Sequence, residues 1–291
     1  MNTPLVSICI PVYNHASFVV DCISSVLAQC YENIELIIID DGSQDASAEC
    51  VAQMVEACEK RFVRFKFISR PNKGLSRTLN EAIEWAEGEY FCALASDDKM
   101  LPNKTNVLVT HLRNNQKCVA AFGSVYLIDA NGVRKAARKR QSIYSFDDVF
   151  RLKAELPAPA SLMRLASLKE QGGFNVETRL EDLDMWLRLT CVKEHYLEVL
   201  PELLAEYRLH PANNWKLVDV MSREQLRIID HYRDHPSYPK AIAALECSKF
   251  RNLAGVNKKS ALRCVLPLLF KASSYKEMRF YQGLIHLVVR W

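Results

Sequence analysis

The sequence predicts an α/β fold, a mostly parallel sheet flanked by helices, with a helical extension at the C-terminal end. Three observations carry that prediction. Short, near-continuous apolar runs rich in β-branched and aromatic residues recur at Leu5–Val12, Ile34–Ile39, Val63–Ile68, Tyr90–Ala95 and Val119–Ile128. Segments with helical spacing separate the early runs, the arrangement that parallel strands need for their crossovers. Polar clusters fall where three of the runs end, and in an open parallel sheet ligands bind at the carboxyl ends of strands.

Taken in order, the first run leads into a helix whose Phe18, Val19, Cys22, Ile23, Val26 and Leu27 form one apolar stripe. After the third run, Ser76 is expected to cap a helix that buries Leu79, Ala82, Ile83 and Ala86. Trp85 and Trp186 lie on helical stripes and are read as core. Past Ile128 the pattern loosens. A basic stretch, Arg134–Arg140, reads as a solvated loop or as a contact for a pyrophosphate. A short helix is expected after Ser145, with Asp148 three residues on. Pro157 and Pro159 precede Ser161-Leu-Met-Arg164, and Gly172-Gly173-Phe174 precedes a helical segment, Glu181–Val192. From about Asn214 the chain reads as helices with short polar breaks, Pro267 starting or kinking one of them.

Composition excludes several classes. The 291 residues are 49% hydrophobic and 25% charged, which rules out wholesale disorder, and nine glycines rule out collagen-like or Gly-rich architectures. A net charge of +4 is too small to imply nucleic-acid binding. It divides unevenly: Lys249–Trp291 carries +8 and the preceding residues −4. The ten cysteines are scattered with no C-x-x-C pair, as expected of buried, reduced thiols rather than a zinc site. Neither a secretory leader nor an apolar run of spanning length is evident, so a cytoplasmic location is expected. The tail, with apolar runs Cys264–Phe270 and Leu284–Val289 among its basic residues, suits either an interfacial helix on an anionic membrane or a cap packed on the rest of the chain.

The polar clusters are Pro11-Val-Tyr13-Asn14, Asp40-Asp41-Gly42-Ser43 and Ser96-Asp97-Asp98. Each alone reads as a turn or a helix cap; together, at three strand ends, they mark a candidate site. The stretch from VSICIPVYNHASF to IELIIIDDGSQD resembles the opening of the family 2 inverting glycosyltransferases of the GT-A fold, of the bacterial surface-polysaccharide type. The likeness continues through RPNKGLSRTLNEAIEWAEGEYFCALASDDKMLPNK, then GGFNVETRLEDLDMWLRL and YRLHPANN, in the family's order, from about Leu5 to Asn214.

That resemblance implies a nucleotide-sugar donor, UDP-linked, and a glycan acceptor carried on lipid, as in O-antigen or capsule synthesis at the inner face of the cell membrane. It implies donor binding by Pro11, Tyr13, Asp40, Arg77 and Asp97, and Mn²⁺ or Mg²⁺ on Asp98, with His210 either a further ligand or a structural group. It implies Asp182 as the general base, Glu181 as an acceptor-orienting group and Asp184 as a lesser candidate for the base. The transferase domain is expected over 1–215, its nucleotide-sugar half about 1–100 and its acceptor half about 101–215, with 216–291 as a basic helical extension. Ala95 stands where many members have a further Asp, which leaves open a non-catalytic nucleotide-sugar-binding or scaffold protein of the same fold. A nucleotidyltransferase is disfavoured because PVYNHASF is no Gly-rich phosphate loop.

Overall fold

The computed structural model describes residues 3–209 and 218–289. The chain runs β1 (Val6–Val12), α1 (Val19–Leu27), β2 (Ile34–Asp40), α2 (Ser47–Ala52), α3 (Val55–Arg61) and β3 (Arg64–Ser69). Next come α4 (Leu75–Trp85), β4 (Tyr90–Ala93), the two-residue β5 (Lys99–Met100), α5 (Lys104–Asn114) and the long β6 (Cys118–Ile128). Then follow β7 (Arg134–Arg138), β8 (Ser142–Tyr144), α6 (Phe146–Phe150), β9 (Ser161–Arg164), α7 (Leu165–Glu170), α8 (Glu181–Cys191) and β10 (Tyr196–Arg208). The C-terminal helices are α9 (Val218–Asp230), α10 (Tyr238–Val256), α11 (Lys258–Leu268) and α12 (Met278–Val289).

Two compact units emerge, one of Met1–Ser145, Glu155–Val176 and Arg188–Pro211, the other of Phe146–Ala154, Glu177–Leu187 and Ala212–Trp291. The first contains the sheet, in the order β3-β2-β1-β4-β9-β6-β10-β5, with β7 on β6 and β8 on β10. β3, β2, β1 and β4 are mutually parallel. Beyond β4 the sheet is mixed: β9 runs antiparallel to β4 and β6, and β6 and β10 are parallel to each other. Because the chain builds outward from β1 first toward β2 and later toward β4, the crevice beside β1 is a topological switch point.

The apolar runs become buried strands because both faces of the sheet are covered. Ile8, Ile10, Leu36 and Ile38 pack with Val19, Cys22, Ile23 and Val26 of α1, all at 0% exposure. At the amino ends of these strands a buried carboxylate is fully engaged. Glu35 accepts from Ser7 Oγ at 2.6 Å, from Arg64 Nη1 at 2.8 Å and from the Glu87 N–H at 2.7 Å. That satisfaction is what makes an acid tolerable inside a strand. In the second unit, Val218, Cys247, Phe250, Leu253, Ala261, Val265, Leu268 and Phe280 form a core of their own.

Four local expectations are corrected. The basic stretch is not a loop over its first residues: Arg134–Arg138 forms β7, an exposed strand on β6. Its lysines and arginines suit an edge that must not recruit another strand. Ser76 does not cap α4; the helix opens at Leu75 with Gly74 as its N-cap, at φ +88°. Trp85 is half-buried rather than core, its ring covered by the Arg64 guanidinium at 4.0 Å. Pro267 does not start a helix but sits in the last turn of α11. Trp186 is buried at 6% exposure, as expected. The ten cysteines are all free thiols, with Cys30 and Cys191 exposed. Among the described residues no helix is long and apolar enough to cross a membrane.

Candidate functional site

The parallel register brings the ends of β1, β2, β3 and β4 side by side, and the polar clusters meet there. Val12 lies opposite Asp40, and Asp40 opposite Ser69. After β1 the chain turns at Asn14, whose φ is +53°. Its N–H donates to Ser43 Oγ at 3.0 Å and its Oδ1 accepts from the Gln44 N–H at 2.7 Å, lacing the β1 loop to the β2 loop. Pro11 sits in the strand, and Tyr13 stands beside it 48% exposed, an aromatic surface open to a planar ligand.

Asp40 is buried at 1% exposure, its Oδ1 accepting from the Ser43 N–H at 3.2 Å and its Oδ2 from Ser69 Oγ at 2.8 Å. The neighbouring Asp41 holds the next loop. It accepts from the Arg70 guanidinium, from the Lys73 N–H at 2.8 Å and from the Gly74 N–H at 2.9 Å. Burial alone would raise its carboxyl, but these donors outweigh it and hold the group below the usual carboxylate range. Arg70 is bound on its other edges by Glu81 at 2.9 Å and Thr78 at 3.0 Å. Asp41 thus does from the loop after β2 the work expected of a helix cap, at an end where the dipole favours negative charge. Gly42 is required between the two loops: its φ is +74°, and a Cβ there would lie 2.7 Å from the Asn72 nitrogen. Arg77 lies exposed on the first turns of α4.

At the end of β4 the chain turns through Ala95–Asp98, closed by the Asp98 N–H on the Ala95 carbonyl at 3.0 Å. Ser96 Oγ is 2.8 Å from His15 Nδ1, and Asp97 Oδ1 is 4.0 Å from the same nitrogen. Asp97 and Asp98 are buried at 7% and 2% exposure. Burial first, and then the charge of Asp97, push the Asp98 carboxyl well above its ordinary value; the Arg208 N–H, donating to its Oδ1 at 2.7 Å, opposes this. Two adjacent, dehydrated carboxylates that repel one another are a donor set suited to a hard divalent cation.

Arg208, the last residue of β10, ties this turn to the sheet. It is 1% exposed. Its Nε donates to the Asp97 carbonyl at 2.7 Å, and its Nη1 to the Asp129 and Ala130 carbonyls at 3.1 and 3.0 Å. The guanidinium lies 4.8 Å from the centre of the Phe18 ring, while Nη2 makes no hydrogen bond among the described residues and has Asp21 Oδ2 3.8 Å away. A charged group placed at such desolvation cost, with one donor edge unused, gives the rim a fixed positive centre beside the acid pair. Neither Arg208 nor the Asp41–Arg70 pair was singled out in the sequence. The only signal for Arg208 was an arginine closing an apolar-rich strand, two residues before the noted His210. His210 itself lies outside the described residues.

Glu181 and Asp182 open α8, in the second unit. Thr178 Oγ1 accepts from the Leu180 N–H at 3.1 Å just before the helix, and the Leu183 N–H donates to Asp182 Oδ1 at 2.7 Å. Burial, then the charge of Asp182, push the Glu181 carboxyl up to about 7. Burial also raises Asp182. Asp184, one turn in, is buried at 8% exposure, as are Met185, Trp186 and Leu189 of the predicted stripe.

A family model described as "Glycosyl transferase family 2" matches residues 7–170. An uncharacterized glycosyltransferase of Rickettsia bellii (strain RML369-C) is 31% identical over 230 residues, 76% of this chain and 32% of the relative. The putative glycosyltransferase EpsH of Bacillus subtilis (strain 168) is 40% identical over 103 residues, 35% of this chain and 29% of the relative. The chain therefore spans about a third of the length of these two curated relatives. Among solved structures, S. aureus TarS 1-349 in complex with UDP-GlcNAc superposes with a TM-score of 0.63 at 16% identity, covering 98% of this chain and 82% of that one. The mannosyltransferase PcManGT from Pyrobaculum calidifontis, in complex with GDP-Man and Mn²⁺, gives 0.60 at 12% identity, covering 100% and 87%. At these identities the two likenesses establish the fold alone.

Proposed function

The chain belongs to glycosyl transferase family 2, and from that premise we propose that it moves a sugar, with inversion, from a UDP-sugar to a hydroxyl of a lipid-linked or growing glycan. The pathway we propose is bacterial surface-polysaccharide synthesis, O-antigen or capsule. The observation that carries the reading is the paired, buried Asp97 and Asp98 at the end of β4, on the same rim as Tyr13 and Asp40 at the topological switch point. The UDP-GlcNAc bound by TarS and the GDP-Man with Mn²⁺ bound by PcManGT support a nucleotide-sugar donor and a divalent cation.

In this reading Tyr13 packs on the base, Asp40 accepts from its imide N–H, and Arg77 meets the base or the diphosphate. Pro11 shapes the floor beneath the base, and Asp97 and Asp98 hold Mn²⁺ or Mg²⁺. The cation, when bound, neutralises charge on the departing nucleotide diphosphate. Asp182 accepts the proton of the acceptor hydroxyl while that oxygen bonds to the anomeric carbon from the face opposite the breaking bond to the diphosphate. Glu181 orients the acceptor. Residues 1–215 supply this chemistry.

Residues 216–291 dock on an anionic membrane surface. The outward stripe of α12, Met278, Tyr281, Ile285 and Val288, is exposed, as are Leu262 and Leu266 of α11 and Leu269, which follows it. Across Lys249–Trp291 the single acid is Glu277, so the charge of +8 complements anionic lipid, at roughly 1 kcal/mol for each basic residue at the surface.

The test is a donor panel read out as nucleotide release, with and without a lipid-pyrophosphate sugar acceptor. Acceptor-stimulated release from one donor is expected, lost in Asp182→Asn while donor binding persists. Full activity in Asp182→Asn would remove the base assignment. Ala95, in place of an acid, favours the second reading, a non-catalytic nucleotide-sugar binder; that reading requires donor binding with no release in any combination.

A further inference from the structure

At the opposite end of β6 and β10 from Arg208, three side chains of different chemistry converge. His111 comes from the last turn of α5, Cys118 from the first residue of β6, and Glu198 from the start of β10. His111 Nε2 and Glu198 Oε2 are 2.9 Å apart. One ligand atom from each of the three residues lies within 4.8 Å of the other two. The register explains the convergence: β6 and β10 are parallel with Cys118 beside Tyr196, and α5 returns to the sheet through the short turn 115–117.

That turn is fastened from below. Arg164 of β9 donates through Nε to the Cys118 carbonyl at 3.0 Å and through Nη2 to the Asn115 carbonyl at 3.2 Å. Cys118 N–H bonds the Asn115 carbonyl at 3.0 Å. The three groups are therefore held by three elements of one unit and not by a mobile loop. His111 and Glu198 also line a cleft of about 780 Å³ between α5 and β10, so ions and water reach them, whereas Cys118 is fully buried and does not line it.

From this geometry we infer that His111, Cys118 and Glu198 form a zinc site, separate from the donor rim, with a water from the cleft as fourth ligand. A neutral imidazole, a thiolate and one carboxylate oxygen are the ligand types that Zn²⁺ prefers, and a thiolate selects against the hard Mg²⁺ or Mn²⁺ that suit Asp97 and Asp98. In a tetrahedral zinc site, ligand atoms sit about 3.3–3.8 Å apart, so closure from the observed spacing needs shifts on the order of 1 Å. Without metal the Cys118 thiol is held protonated, because burial and then the Glu198 charge raise it to about 12. Binding therefore releases that proton to solvent as the sulfur–metal bond forms. The site would clamp α5 to β6 and β10, and it stands whether or not the transferase reading holds.

The experiment titrates the metal-free full chain with Co²⁺ as a spectroscopic probe, then displaces it with Zn²⁺. A thiolate-to-cobalt charge-transfer band with tetrahedral d–d bands, saturating at one equivalent and lost in Cys118→Ser, is expected. Should Cys118→Ser not fold, His111→Gln is used; its ring is at the cleft wall, and zinc binding weakened by more than about tenfold is expected. Asp98→Asn should leave the thiolate-to-cobalt band unchanged, which separates this site from the strand-end rim. Absence of a thiolate band in the wild type, or equal zinc retention in the variants, overturns the inference.

Discussion

Glu181→Gln offers a quantitative test of the acid pair that opens α8. The Glu181 carboxyl is raised from its ordinary 4.5 to about 7, first by burial and then by the charge of Asp182. The folded protein therefore holds this proton more tightly than the unfolded chain. Stability is full below pH 4.5 and declines as pH rises toward 7, since stability falls with pH wherever the folded state binds more protons. At 1.36 kcal/mol per pH unit the two values differ by about 3 kcal/mol; because Glu181 is partly solvent-exposed, a loss of about 2 kcal/mol is expected above pH 7. Glutamine has no charge to bury. Urea unfolding of wild type and Glu181→Gln at pH 5 and pH 8 measures the difference. The variant should gain on wild type by about 2 kcal/mol between the two pH values, with unchanged m. A stability difference that does not vary with pH would refute the reasoning, and with it the placement of a partly buried acid pair at the start of α8.

Other outcomes follow from the rim at the strand ends. Asp41→Asn should cost about 2 kcal/mol, because the Arg70 guanidinium is left with Glu81 as its carboxylate partner and the Lys73 and Gly74 N–H groups lose a charged acceptor; denaturant midpoints measure it. Since Asp41 is held below the usual carboxylate range, its stabilisation is present at neutral pH and is lost as pH falls through that depressed value, so the gap between wild type and variant should close in acid. Arg208→Met should cost about 2–4 kcal/mol, because the Asp97, Asp129 and Ala130 carbonyls lose their donor. Thermal unfolding reads the stability, and calorimetry should find weakened nucleotide-diphosphate binding.

Much of the fold was legible because the strands are buried on both faces. Val6–Val12 and Ile34–Asp40 are apolar throughout apart from Ser7, Glu35 and Asp40, and Tyr90–Ala93 has no polar residue at all. What the sequence hid came from contacts between distant segments. Arg134–Arg138 carries no apolar alternation, and it is a strand only because β6 offers it an edge. Gly74 starts α4 because Asp41, 33 residues away, takes its N–H. Ser76, a better cap by local propensity, lies inside the helix as a result. The same holds at the site. Strand-end acids announce themselves by position, whereas Arg208 gains its place only when β10 pairs beside β6 and sets its backbone N–H against Asp98. Asp40 and Asp41 cannot be told apart locally: one faces Ser43 and Ser69, the other Arg70 and Gly74, and only the β2–β3 register decides which.

Titration of the full chain with UDP by calorimetry, with Mn²⁺ and then with excess chelator, tests the central claim most directly. Asp98→Asn is run beside the wild type. If the rim at the ends of β1, β2 and β4 is a cation-dependent nucleotide-sugar site, UDP binds with Mn²⁺, and the affinity falls by more than about tenfold in chelator and in Asp98→Asn. Equal affinity under all three conditions, or no UDP binding in any, would contradict it.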